Sequence, residues 1–233
     1  GLFTTALFVT HLLAQVPAGR AADRVGARHV GLISVAAVVA GNLLALATPD
    51  PVLALAARAL VGIGSGAGFV AGAEYMRAAR SSPLFQGVYG GATMAGGGLA
   101  LAVVPQLDDP LGWRGPYWSA LAVALACAAV LLAAPADARE ARHERRRVSV
   151  LRDRRLYPLG ALHAASFGLS VIAGNWVVTL LERQGHGHAA AGLAGSLVLL
   201  AGIVTRPAGG LLARRAPEHA RTFVGLTLVA SAA

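Results

Sequence analysis

Several side chains that could do chemistry sit inside long apolar runs of this chain. Arg58 lies about two turns into one run and begins a face that continues through Gly62 and Gly66. A guanidinium there can bind an anionic substrate or bias a proton-carrying acid elsewhere. It can equally snorkel or be paired structurally. His11 and Gln15 are four apart and so share one helical face. The imidazole can carry a proton or serve as a satisfied packing group. Asn175, Thr179 and Arg183 make a further stripe, with Trp176 beside it. That stripe reads either as substrate contacts or as an interfacial tryptophan with a capping amide. Glu74 stands near the end of its run, within helical reach of Arg77 and of the neighbouring Arg80.

The elements that must position these groups are membrane spans. Hydrophobic residues make up 56% of the 233, and charged residues only 13%, against roughly 25% in soluble domains. The mean hydropathy is +0.62. Apolar runs occupy about 2–18, 30–47, 52–74, 84–105, 116–134, 158–181, 190–212 and 222–233. About 20 such residues cross about 30 Å of hydrocarbon as a helix. The fold class is therefore all-α, a polytopic helical bundle of about seven full spans and a short eighth.

Charge supplies the topology. The net charge is +9, and all 20 basic residues are arginine. Alternate connections carry Arg20, Arg24 and Arg28, then Arg77 and Arg80, then eight arginines between Arg139 and Arg155, then Arg214, Arg215 and Arg221. The opposite connections carry only Arg114 and Arg183. By the positive-inside rule the basic turns and the 135–157 connector face the cytoplasm of a multi-pass inner-membrane protein. Arginines distributed in this way argue topology and membrane lipid, and no nucleic-acid partner.

Glycines at 62, 64, 66, 68 and 72, and at 87, 90, 91, 96, 97 and 98, mark faces where helices can approach closely in lipid. The single cysteine, Cys127, reads as a packing residue. Pro17-Ala18-Gly19 returns as Pro207-Ala208-Gly209, 190 positions later, each time ahead of arginines. A repeat at that spacing divides the chain into related halves, 1–134 and 158–233, joined by the charged linker 135–157. The chain opens within a span and its last run is too short to cross, so it reads as a piece of a longer protein.

These residues carry a family resemblance. Gly19, Asp23, Arg24, Gly26 and Arg28 match G-x-x-x-D-R-x-G-x-R, the loop signature of the major facilitator superfamily. Arg58 followed by Gly62-Ile63-Gly64 resembles the family's fourth-helix pattern, with Val61 where glutamine is often seen. Trp113-Arg114-Gly115-Pro116-Tyr117-Trp118 resembles the segment that opens the sixth helix. The resemblance implies helices two to part of nine of twelve, in two six-helix halves around a central cavity. It implies a secondary transporter that moves a small solute by alternating access, driven by protons, as a monomer without a cofactor. The signature residues, with Arg77 and Arg80 on the next basic turn, would form a gate that Asp23 helps to hold shut. The seventh helix lines the family's cavity, so the resemblance makes Asn175 and Trp176 substrate contacts.

There are departures from the pattern. The second signature copy has Ala213 and Ala216 in place of the acid and the second glycine. Ala100-Leu101 stand where antiporters of the family carry Gly-Pro, which disfavours drug–proton exchange. Thr205-Arg206-Pro207 resembles the eighth helix of the nitrate/nitrite porters, where an arginine meets the anion. The first run nevertheless has Gln15 and Val16 in place of a partner arginine, and Arg206 also serves as a positive-inside anchor. The alternatives are a small-anion porter, a non-transporting sensor or scaffold of the same fold, and an intramembrane enzyme, which would need His11 or His163 beside a hydroxyl or acid.

No enzyme is expected. His143-Glu144 lacks the second histidine of a zinc-protease helix, and no phosphate loop ends in Lys-Ser/Thr. His186 and His188 alone fall short of a metal site.

Overall fold

A computed structural model describes residues 1–47, 49–78, 82–134, 153–154, 156–219 and 222, with the side chains of 159, 166, 175 and 217 left out. Arg80, the 135–152 part of the linker and the 223–233 part of the last run lie outside the described residues. All regular structure among the described residues is helical. The order is α1 (Leu2–Val25), α2 (Ala27–Ala47), α3 (Pro51–Ala78) and α4 (Pro83–Val103). A 3-10 turn, the short α5 (Asp108–Leu111) and a second 3-10 turn lead to α6 (Gly115–Ala133). Then come α7 (Leu156–Arg183), α8 (His188–Leu200) and α9 (Gly202–Arg215).

Local chemistry explains the boundaries. Asp50 Oδ1 accepts the backbone N–H groups of Val52 and Leu53, both at 2.9 Å, and Pro51 opens α3. That pairing satisfies orphan donors and places a carboxylate at the positive helix end. Gly26 breaks α1 from α2 at φ 89°, a left-handed conformation that favours glycine. After α7, Gly185 N–H donates to Glu182 O and His186 N–H to Leu181 O, the Schellman pattern around a glycine at φ 88°.

Six helical stretches are long and apolar enough to cross a membrane. The fourth, Pro83–Ala133, is 51 residues long and contains α4 and α6, of 21 and 19 residues. Each of those two has the length of one crossing. The sixth, His188–Arg215, contains α8 and α9 with a break at Ala201. Large side chains such as Leu12 and Val130 are 67% and 68% exposed. Such exposure suits a surface solvated by hydrocarbon, where the helix itself satisfies the backbone. The chain is a multi-pass membrane protein.

Packing sorts the helices into two compact groups: α1, α2, α3 and α6 in one; α4, α7, α8 and α9 in the other. In the first, α3 lies between α1 and α2. Its alternate glycines serve different neighbours. A methyl on Gly62 would run into Thr10 Oγ1 and the Leu7 carbonyl, and one on Gly66 into the His11 backbone, both on α1. A methyl on Gly64 would lie 2.7 Å from the Ser34 carbonyl, and one on Gly68 2.6 Å from Ser34 Oγ, both on α2. Residues two apart on a helix point nearly opposite ways, so a G-x-G-x-G-x-G string is two interleaved four-residue stripes.

The second group uses the same device. A methyl on Gly87 would strike the Arg206 carbonyl, and one on Gly210 the Pro83 carbonyl. At Gly91 it would lie 3.0 Å from the Gly202 carbonyl. Gly96 has nothing within 4 Å, so not every glycine of the fourth run serves packing. The two Pro-Ala-Gly copies are both helical, with Pro17 inside α1 and Pro207 inside α9. Gly19 and Gly209 each have room for a methyl, with Val70 Cγ1 at 3.8 Å in the first case and nothing within 4 Å in the second. Of the two signature glycines expected to permit a tight turn and close approach, Gly26 alone is at a position that demands glycine.

Candidate functional site

A polar seam runs between α1 and α3. Thr10 Oγ1 donates to the Ala59 carbonyl at 2.8 Å, and His11 Nδ1 lies 2.9 Å from Ser65 Oγ. Ser65 in turn donates to the Gly62 carbonyl at 3.0 Å. The glycine stripe of α3 allows these contacts, because it brings the α1 backbone against Gly62 and Gly66. The His11 ring is half-buried and stands 6.2 Å from the Phe69 ring.

Arg58 belongs to the same face of α3. Seven residues make about two turns, so Arg58 and Ser65 lie in one row, about 10 Å apart along the axis. Arg58 is half-buried and has no hydrogen-bond or ion-pair partner among the described residues. Gln15 is half-buried one turn beyond His11, on the same face of α1. The structure thus collects Arg58, His11 and Gln15 on one pair of helices. It adds Ser65 and Thr10, which sequence reasoning did not single out. The signal for Ser65 was its place seven residues after Arg58, inside a string of glycines.

The loop signature forms a second cluster, at the other end of this helix group. Ala18 and Ala22 of α1, Val30 of α2 and Ala71 of α3 make a small buried core. Arg28 reaches from α2 to the end of α6, donating from Nε to the Leu131 carbonyl at 3.1 Å and from Nη2 to the Leu132 carbonyl at 2.7 Å. A cation on the last carbonyls of a helix satisfies orphan acceptors and complements the helix dipole. The α1–α2 turn and the ends of α3 and α6 therefore meet. Glu74 takes the guanidinium of Arg77 in a two-pronged pair, with Nε donating to Oε2 at 2.8 Å. Asp23 and Arg24 are exposed at the end of α1.

Arg28→Leu removes both capping bonds. Hydrogen bonds to charged groups contribute about 1.5–3 kcal/mol each when buried, and less here because the Nη2 bond is exposed to solvent. The expected outcome is a fall of about 2 kcal/mol in stability, read as a lower melting temperature in detergent.

Other candidates stand apart from the seam. Trp176 projects from α7 and is 63% exposed; the side chain of its neighbour Asn175 lies outside the described residues. In the second group Arg206 is half-buried against α4, where a methyl on Gly90 would lie 3.2 Å from its Nη1. His188 pairs with Glu182 across the α7–α8 turn. Among the described residues no three metal-ligating side chains come together.

The family model for the Major Facilitator Superfamily matches residues 1–233. No curated protein and no solved structure matches the chain. Helices of membrane length, the glycine-packed bundle and the matched signature agree with that assignment: the chain belongs to the Major Facilitator Superfamily and is a secondary transporter in general type.

Proposed function

We propose that this chain moves a small solute across the cytoplasmic membrane by alternating access coupled to protons. The observation that carries the reading is the α1–α3 seam: an arginine without a partner among the described residues and a histidine lie along one pair of membrane-length helices in a transporter family. Groups of that kind are costly in hydrocarbon and persist where they serve a path. Halves 1–134 and 158–233 move against each other, with α4 the helix of the first half that packs on α8 and α9 of the second. The basic turns and the 135–157 linker face the cytoplasm, where their arginines meet anionic lipid. Asp23 and Arg24 of the signature, with Arg77 and Arg80, close the inner side of the path. A second reading, a small-anion porter, draws on Arg206, which lies half-buried against the Gly87 and Gly90 face of α4.

The test is flux in proteoliposomes under an imposed pH gradient, with a panel of labelled small solutes. Uptake should follow the gradient and fall at least about tenfold, or 1.4 kcal/mol in barrier, in Asp23→Asn. A well-folded protein that moves no solute of the panel would instead favour a sensor or scaffold.

A further inference from the structure

Both Ser65 contacts are hydrogen bonds at once only when its hydroxyl hydrogen goes to the Gly62 carbonyl and His11 Nδ1–H donates to Oγ. In that form of the neutral ring the lone pair sits on Nε2, which has no protein partner among the described residues.

The charged group nearest to this ring along α3 is a cation. From α3, the element packed most closely on α1, the charged group along the seam is Arg58; Glu74 and Arg77 are paired with each other near the far end. From α2 the candidates are Arg28 and His29, also at that far end. The nearest acids in sequence lie at helix ends. Asp50 caps α3 about 12 Å before Arg58, and Asp23 lies about 18 Å beyond His11 along α1. A proton added to His11 thus places a second positive charge on a seam whose middle holds Arg58, while the carboxylates of α1 and α3 among the described residues, Asp23 and Glu74, lie toward the helix ends. In a medium of low dielectric that repulsion is weakly screened.

We propose that His11 and Arg58 form one joint site for a proton and a small anion. The anion lies against the Arg58 guanidinium and cancels its charge. Nε2 of His11 then takes a proton from water, while Nδ1–H stays on Ser65. Neither charge is stable on the seam without the other, so proton and anion load together and leave together, which is symport. This inference rests on the transport reading and narrows it to monovalent anionic solutes.

The test is an equilibrium one. The chain is placed in nanodiscs of zwitterionic lipid, in weakly buffered solution with a pH-sensitive dye. Sodium nitrate, sodium lactate and sodium benzoate are added in turn. At least one of the three should draw protons from the medium, saturating at no more than a single proton per chain. Arg58→Gln should lose the uptake through loss of the anion. His11→Gln should lose it because an amide can still donate to Ser65 but cannot titrate in this range. Absence of uptake with all three anions, or full uptake in His11→Gln, overturns the proposal. Nitrogen NMR of the histidine rings in the unmodified chain gives a check that does not depend on a variant folding. At alkaline pH the hydrogen of His11 should be on Nδ1; finding it on Nε2 overturns the site. A chain that passes here but moves no solute in proteoliposomes would refute transport alone. A transporter whose His11 is silent would refute this site alone.

Discussion

Gly62→Ala should cost about 3 kcal/mol or more and leave little monodisperse protein in detergent. The new methyl would meet Thr10 Oγ1 and the Leu7 carbonyl, and the carbonyl is helix backbone that cannot swing aside. Only a shift of α1 relieves it, and that shift breaks the Thr10–Ala59 and His11–Ser65 bonds. Helices in lipid gain little from hydrophobic burial, so close packing and these bonds supply most of the adhesion. Gly96→Ala is the control. Nothing lies within 4 Å of that site, and alanine favours helix by up to about 1 kcal/mol. Size-exclusion profiles and melting temperatures of the pair decide the matter. Equal stability of Gly62→Ala and the parent would mean that α1 and α3 are not in contact there.

Arg58→Leu should produce a protein that is more heat-stable and does not transport. Arg58 has no hydrogen bond or ion pair among the described residues, so its removal leaves no stranded partner. A charged residue at the centre of a spanning helix costs about 2.5–3.5 kcal/mol on insertion scales; two turns into α3 the cost is smaller, and leucine recovers part of it. Uptake in proteoliposomes should fall at least about a hundredfold, since the positive charge that would hold the solute is gone. Arg58→Lys keeps the charge and loses the planar fork, so an intermediate rate is expected. If Arg58→Leu instead melted early, the arginine would be a structural anchor and the seam would lose its principal charged group.

Some of this was legible in the chain and some was not. The spans, the basic ends and the signature could be read because each is local in sequence. The Glu74–Arg77 pair is a helix i,i+3 contact and was within reach of the same reasoning. Gly26 was legible as a turn glycine, whereas Gly19 sits mid-helix with space around it. Four-residue spacing marked the glycines of α3, but not that 62 and 66 face one helix while 64 and 68 face another. Gly96 looked like its neighbours and packs against nothing. Ser65 drew no attention because a serine in an apolar run is ordinary; it matters because a histidine from 54 positions away lies on it.

By itself the sequence determined that this chain threads a bilayer several times as helices and in which stretches they lie, though not that α1 runs on to Val25 or that α8 and α9 break at Ala201. The reason is that hydrocarbon leaves a backbone no partner but itself, so the outcome depends on the composition of each short stretch. Only the tertiary structure decided which side chains meet: His11 with Ser65, and Arg28 with a carbonyl 103 positions away at the end of α6. Helix pairing in lipid is settled by shape and by a few hydrogen bonds between distant segments, and neither is written in the hydropathy of either partner.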